Sequence, residues 1–161
     1  MTHTRNQVCL LFGSNIEPES NLPRAIRLLA GTIPIQRVSS AWETKAVGSD
    51  GPNFINAAVL ASTSLDPITF KERVLRPLEA TLGRVRSSDK NAPRTVDIDI
   101  VLWEEQTVDP DLTLHAYIAV PVSELLPDLN LPDTKEALRK TASRLSSVET
   151  IRKRSDVVLT Q

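Results

Sequence analysis

Apolar residues fall along this chain in blocks of differing period. Gln7 to Phe12 is an almost unbroken apolar run, as expected of a central strand buried on both faces. Gly13-Ser-Asn15 follows as a turn. Leu22, Ala25, Ile26 and Leu29 recur at helical spacing, which predicts a helix from near Ser20, with Pro23 in its first turn and Gly31 as its stop. Ile35 to Thr44 carries the β-branched and aromatic mixture of a second strand. Gly48 to Asn53 has the composition of a loop, and Phe54 to Thr63 reads as a third strand. Asp66-Pro67 is a cap followed by a first-turn proline, opening a helix whose apolar face is Val74, Leu75, Leu78 and Leu82 and whose end is Gly83. Pro77 lies inside that helix. Its ring collides with the carbonyl of Arg73, which predicts a kink or bulge.

The next stretch holds an arrangement that a packed core does not require. Val96, Ile98, Ile100 and Leu102 alternate with Asp97 and Asp99, a strand with one apolar face. The two carboxylates share the other face, with Cα atoms about 7 Å apart at the rise of a strand. Bare anions at that spacing repel each other. They are also well placed to share Mg²⁺, which takes one or two protein carboxylates and completes its octahedron with water and phosphate oxygens. The plain alternative is a strand edge kept acidic for solubility. Arg84, Arg86, Lys90 and Arg94, all in the short run before the aspartates, favour a place where a polyphosphate meets its metal.

A polar stretch from Glu104 to Asp111 comes next, and Pro121 to Leu126 is a short apolar segment of helical type. Thr134 to Leu145 has Leu138, Ala142 and Leu145 at helical spacing, and Asp156 to Thr160 is a candidate edge strand. The basic run Arg152-Lys-Arg154 between them reads as a solvated face. The order strand, helix, strand, strand, helix, strand is the split β-α-β arrangement of a ferredoxin-like α+β domain. Two helices cover one face of its antiparallel sheet, and the face with Asp97 and Asp99 is left for loops and ligands. Residues 1–161 form one domain, to which 134–161 add a C-terminal helix and an edge strand.

Composition narrows the chemistry. A chain of 161 residues has length enough for one proper core, and 40% hydrophobic with 24% charged residues is ordinary for a globular protein. With 19 basic against 20 acidic residues, the net charge of −1 argues for neither nucleic acid nor a membrane as partner. No run reaches the length of a membrane span, and the N-terminus lacks the pattern of a signal peptide, so the expected location is the cytoplasm. The single Cys9 lies inside an apolar run and reads as a buried structural thiol. Only His3 and His115 are present, too little for a histidine zinc site or a Ser-His-Asp triad. Carboxylates and arginines remain. Gly48 to Asn53 is long for a hairpin connection and suits a flap. Gly13-Ser-Asn15 lacks the Gly-Lys-Thr of a phosphate loop and reads as a tight turn.

Phe12-Gly-Ser-Asn15, Ser39-Ser-Ala-Trp-Glu-Thr44 with Gly48, Asn53-Phe-Ile-Asn-Ala-Ala58, Leu82-Gly-Arg-Val-Arg86 and Pro93-Arg-Thr-Val-Asp-Ile-Asp-Ile100 together resemble the 6-hydroxymethyl-7,8-dihydropterin pyrophosphokinases of the folate pathway. The likeness runs from about Val8 to about Pro127. It implies a ferredoxin-like enzyme that moves the β,γ-pyrophosphoryl group of ATP to the hydroxymethyl group of a reduced pterin, releasing AMP. By position, it implies that Asp97 and Asp99 hold two Mg²⁺ ions, and that Arg84 and Arg94 contact phosphates with Arg86 and Lys90 in support. Glu79 and Ile100 would lie near the nucleoside, with Thr113 and His115 also on the ATP side. Asn56 would read the pterin edge, Thr44 and Val47 would flank it, and Phe54 and Tyr117 would be the aromatic walls. ATP and the pterin are then the partners, with the oligomeric state left open and a monomer favoured.

The chain departs from the family pattern on the nucleotide side. Leu112-Thr-Leu-His-Ala-Tyr117 shortens the segment after the aspartates, and no lysine or arginine occurs between Arg94 and Lys135. Asn91 and Ala92 stand where members often carry tryptophan and glycine, and Lys45-Ala46 replaces a proline-rich pair. Two alternatives therefore stand beside the pyrophosphokinase: a relative acting on another pterin or nucleotide, and a pterin-binding protein without turnover. A plain interaction domain of this fold would bind neither ligand.

Overall fold

The computed structural model describes residues 5–46, 50–84 and 94–160. Val47, Gly48, Arg86, Lys90, Asn91 and Ala92, named above, lie outside the described residues. The first apolar run is the central strand β1 (Asn6–Ser14), which pairs antiparallel with β4 (Phe54–Thr63) on one side and β5 (Asp97–Trp103) on the other. Beyond β4 lie β2 (Ile35–Val38) and β3 (Trp42–Thr44). Beyond β5 lies β6 (Gln106–Thr107), and β7 (Ile151–Lys153) closes the edge next to β3. Every pairing is antiparallel, and the order β5-β1-β4-β3 is that of the expected ferredoxin-like α+β fold.

Two helical layers flank the sheet. Against one face pack α1 (Pro18–Ala30) and a second helix made of α2 (Pro67–Phe70), a π-helical turn Lys71–Leu75, and α3 (Arg76–Thr81). Their Leu22, Ile26, Leu29, Phe70, Leu75 and Leu78 bury Leu10 and Phe12 of β1 with Ile55 and Val59 of β4. The other face is not left wholly to loops. Helix α4 (Ala116–Leu125) lays Ile118, Val122 and Leu125 on Cys9, Leu11, Ala58 and Leu60, and α5 (Leu138–Ser146) adds Leu138 to that second core. These are the residues of β1 and β4 that alternate out of the first core, so a strand apolar on both faces needs cover on both. Cys9 is buried there, and loss of hydration pushes its thiol up to about 12, as befits a structural cysteine.

The second helix begins as its sequence predicts. The Asp66 side chain accepts the Thr69 N–H at 2.9 Å, and Gly83 ends the helix with φ +84°, a value a glycine adopts without strain. Pro77 takes effect through the π turn: Arg76 N–H bonds the carbonyl of Lys71, five residues back, and the widened turn makes room for the proline ring.

Elsewhere the structure differs from the pattern. Helix α1 starts at Pro18, because Glu17 adopts φ 41° and its carbonyl accepts the N–H groups of Ser20 and Asn21. Pro23 therefore sits in the helix interior. The second strand is split between β2 and β3, where Ser39 Oγ accepts the Ala58 N–H at 2.8 Å in place of a ladder bond. In β5 the register shifts between Leu10 and Cys9, so Ile98 and Ile100 face the first core while Leu102 faces the second. A bulge inverts the alternation at that point. Helix α4 begins before Pro121, at Ala116. The last strand is Ile151–Lys153 rather than a segment within Asp156 to Thr160. Val157 and Leu159 instead tuck into the first core.

Candidate functional site

Register alone assembles one face of the site. Trp42, Asn56, Gly13 and Asp97 stand side by side across β3, β4, β1 and β5, and the next row carries Ala58, Leu11 and Asp99. At the usual strand spacing the backbones of Asn56 and Asp97 are roughly 10 Å apart, with Gly13 between them. The glycine matters for space. A Cβ at Gly13 would lie 3.0 Å from Asn56 Oδ1 and 3.7 Å from the Phe54 ring. The side chain of Asn56 is buried, and its amide donates to Thr44 Oγ1 at 3.0 Å. Thr44 pairs with Phe54 in the β3–β4 ladder, so the threonine, the ring and the amide share the face.

The turn after β1 proves to be a clamp on the other arm of the site. Asn15 Oδ1 accepts the Arg94 N–H at 2.6 Å, and Asn15 N–H donates to the Arg94 carbonyl at 3.1 Å. Ser14 Oγ donates to the same carbonyl at 3.5 Å. Arg94 is thereby held where its guanidinium donates to Asp97 Oδ2 at 2.8 Å. Asp99 lies at the surface, yet protein crowds its carboxyl. Lost hydration, then the charges of Asp97, Asp109 and Glu79, push it up to about 7 against a smaller opposing pull from Arg76. A divalent cation would relieve that crowding, and the donor set, two carboxylates on one face, fits a hard ion completed by phosphate and water oxygens.

Glu79, expected beside the nucleoside, is buried under β5. Its Oε2 accepts the Ile98 N–H at 2.8 Å and its Oε1 the Arg76 guanidinium at 2.8 Å. Its carboxyl thereby ties down the strand that carries Asp97 and Asp99. Arg84 follows α3, with its backbone N–H on the Glu79 carbonyl at 3.0 Å. A cleft of about 330 Å³ opens between the second helix and β5, with Ile68, Leu75, Ile100 and Val108 as apolar walls. Lys71 and Asp109 line it as well, and Asp99 reaches its edge. Ile100 is thus placed beside a cavity next to the diacid. Thr113 ends a short 3₁₀ helix, Pro110–Thr113, that leads into α4.

His115 and Tyr117 open α4 as a stacked pair, with ring centroids 5.5 Å apart at 28°. Burial raises the Tyr117 phenol above its ordinary range, helped by the carboxylates of Asp111, Asp109 and Asp99. That places the tyrosine at the acidic end of the site. His115 Nδ1 faces Glu149 Oε2 at 3.3 Å. The sequence pattern does not mark Asn15, Glu43 or Glu149. Each is defined by a partner distant in the chain, and no local spacing announces it. The basic run is solvated as expected at Arg152 and Lys153, while Arg154 is largely covered; Arg152 and Arg154 both reach Glu43, at 3.0 and 2.6 Å.

The profile of the 7,8-dihydro-6-hydroxymethylpterin-pyrophosphokinase family matches residues 9–127, a stretch that includes most of β1 and all of β4, β5 and α4. The chain belongs to this family. A 2-amino-4-hydroxy-6-hydroxymethyldihydropteridine pyrophosphokinase of Methylorubrum extorquens is 37% identical over 143 residues, 80% of this chain and 89% of the relative. One of Synechocystis is 32% identical over 128 residues, 73% of this chain and 65% of the relative. Among solved structures, the HPPK-DHPS of Plasmodium falciparum with pteroate superposes with a TM-score of 0.67 over 91% of this chain and 43% of that one. At 10% identity that likeness speaks for the fold alone. The chain therefore spans 65% of the Synechocystis relative and less than half of the Plasmodium chain. Among the described residues no helix is long and apolar enough to cross a membrane.

Proposed function

We propose that this pyrophosphokinase-family chain transfers pyrophosphate from ATP to 6-hydroxymethyl-7,8-dihydropterin and releases AMP, a step of folate biosynthesis. The observation that carries the proposal is the row Asn56, Gly13, Asp97, which puts an amide for a heterocycle edge and a phosphate-side carboxylate on one face, with a glycine between them that lets the Asn56 amide and the Phe54 ring come close to the sheet. The pterin lies over Gly13 with its edge at Asn56 and Thr44 and its faces towards Phe54 and Tyr117. The nucleoside occupies the cleft beside Ile100, and the triphosphate crosses the diacid towards Arg84 and Arg94, with Arg86 and Lys90 in support.

Asp97 and Asp99 would hold Mg²⁺, which neutralises phosphate charge and makes a nearby hydroxyl easier to deprotonate. The pterin hydroxyl oxygen attacks the β-phosphorus, the bond from that phosphorus to the α,β-bridging oxygen breaks, and AMP leaves while the hydroxyl proton passes to solvent. The chain itself contributes position. Asn15 fixes Arg94, Glu79 fixes β5, and the Arg94 guanidinium fork, now on Asp97, would turn to a phosphate oxygen.

The test is AMP release from ATP and Mg²⁺ with the pterin, beside Asp97→Ala/Asp99→Ala. The wild type should form AMP only when pterin is present. The double variant should lose about a thousandfold or more, since several kcal/mol of charge stabilisation disappear. A second reading draws on the absence of lysine and arginine between Arg94 and Lys135, with Asp109 on the cleft instead. It holds that the chain uses another nucleotide or pterin, or binds a pterin without turnover. Pterin binding without AMP release would decide for it. Location in the cytoplasm and a monomeric state belong to the same proposal; both are read by fractionation and light scattering.

A further inference from the structure

The family match ends at residue 127, yet the chain after it returns to the site at two points. Glu149, just past α5, accepts the Ala116 N–H on Oε1 at 2.9 Å and faces His115 Nδ1 with Oε2 at 3.3 Å. The Ala116 N–H is one of the donors that a helix start leaves without an intrahelical partner, and the side chain of His115 does not cap it. Glu149 therefore holds the turn from which Tyr117 projects, with His115 stacked on that ring. A few residues later β7 pairs with β3, and the Arg154 N–H donates to the Ala41 carbonyl at 2.8 Å. The Arg154 guanidinium donates to Glu43 Oε1 at 2.6 Å and is itself gripped by Asp156, at 2.9 and 2.8 Å, and by Glu19 at 3.3 Å.

Glu43 passes this on. Its Oε2 accepts the Asn53 amide at 2.9 Å, immediately before Phe54, and its chain neighbour Thr44 accepts the Asn56 amide at 3.0 Å. We infer that Glu149 and Arg154 are positioning residues of the pterin cleft: one short C-terminal segment holds the start of α4 with Tyr117 and, through Glu43, the start of β4 with Phe54 and Asn56. The inference rests on the proposed pterin site. The Arg154–Glu43 pair carries more of the effect than Arg152–Glu43, because both partners of the first are 18% exposed whereas Arg152 is 68% exposed and its pair is screened by water. A strand that only covered the open edge of β3 would do so by backbone pairing and be indifferent to these two charges.

Glu149→Ala and Arg154→Ala, each beside Glu149→Gln, Arg154→Lys and the remote control Arg139→Ala, test this by steady-state AMP formation and pterin fluorescence titration. The alanine variants should raise the pterin KM and Kd roughly five- to twentyfold with kcat within about twofold, and Arg154→Ala, which does not touch His115, should leave the ATP KM within about twofold. Glu149→Gln should recover most of the loss, since its amide oxygen still accepts the Ala116 N–H, and Arg154→Lys part of it. Arg139, which pairs with Asp128 away from the cleft, should have no effect on pterin binding. A lowered Tm with an unchanged pterin KM, or equal rises in both KM values of Arg154→Ala, overturns the inference. If the wild type neither forms AMP nor binds pterin, the proposed function fails by itself. Amide exchange at Thr44, Asn56 and Tyr117 then decides: faster exchange in the alanine variants than in Arg139→Ala supports the brace, and equal exchange overturns it.

Discussion

Gly13 shows how one missing methyl group shapes the site. Its backbone does not need a glycine's left-handed freedom, so the constraint is space: a Cβ would press on Asn56 Oδ1 at 3.0 Å and fill the floor beside Phe54. Gly13→Ala should therefore leave unfolding free energy within about 1 kcal/mol while weakening pterin binding roughly tenfold, about 1.4 kcal/mol. Equilibrium fluorescence titration beside a urea melt checks this, and unchanged affinity would remove the pterin from over Gly13. In the sequence this glycine reads only as a turn residue, because its partner Asn56 comes from the neighbouring strand. Asp97 and Asp99 are legible for the opposite reason: alternation along one strand is local and puts both on one face whatever the rest of the fold does. Even so, the bulge beyond Ile100 makes that alternation shorter than it looks, and Leu102 turns to the second core.

At the scale of elements, β5 carries the diacid and Glu79 ties it down. The carboxylate sits under the strand, bonded to the Ile98 N–H and to Arg76, so it sets where Asp97 and Asp99 emerge. Glu79→Ala strands a buried N–H and a partly buried guanidinium and should cost about 2–4 kcal/mol. Glu79→Gln, which still offers an oxygen to Ile98, should cost less. Urea unfolding measures both, and equal losses would mean that the charge on Arg76, not the strand contact, is what counts. Elements whose signals are local are legible in the sequence. The Asp66 cap, the third strand Phe54–Thr63 and the disturbance forced by Pro77 all follow from neighbouring residues. Elements defined by what they dock against are not. Helix α1 starts at Pro18 because Glu17 turns left-handed, and β7 is Ile151–Lys153 because β3 offers an open edge there.

For the molecule as a whole, the C-terminal segment couples acid sensitivity to the geometry of the site. The Asn53 amide and the guanidinium groups of Arg154 and Arg152 hold the Glu43 carboxyl down at about 2, against an ordinary 4.5. A carboxyl lowered in the folded state stabilises that state fully above 4.5, where both folded and unfolded chains are ionised. As pH falls towards 2 the unfolded chain takes up the proton first, and the contribution drains away. Asp156, also lowered to about 2 by Arg154, acts in the same direction. Glu43→Gln should thus be less stable than the wild type at neutral pH and should meet it near pH 2, with a shallower fall between 4.5 and 2. Urea midpoints measured across that window test the assignment. Curves that run parallel would place the acid limb on other carboxylates, whereas convergence puts it on the residue that links β7 to Asn53. The charge balance of the chain, −1 overall, conceals this arrangement, because its parts lie at opposite ends of the sequence and meet only when β7 closes on β3.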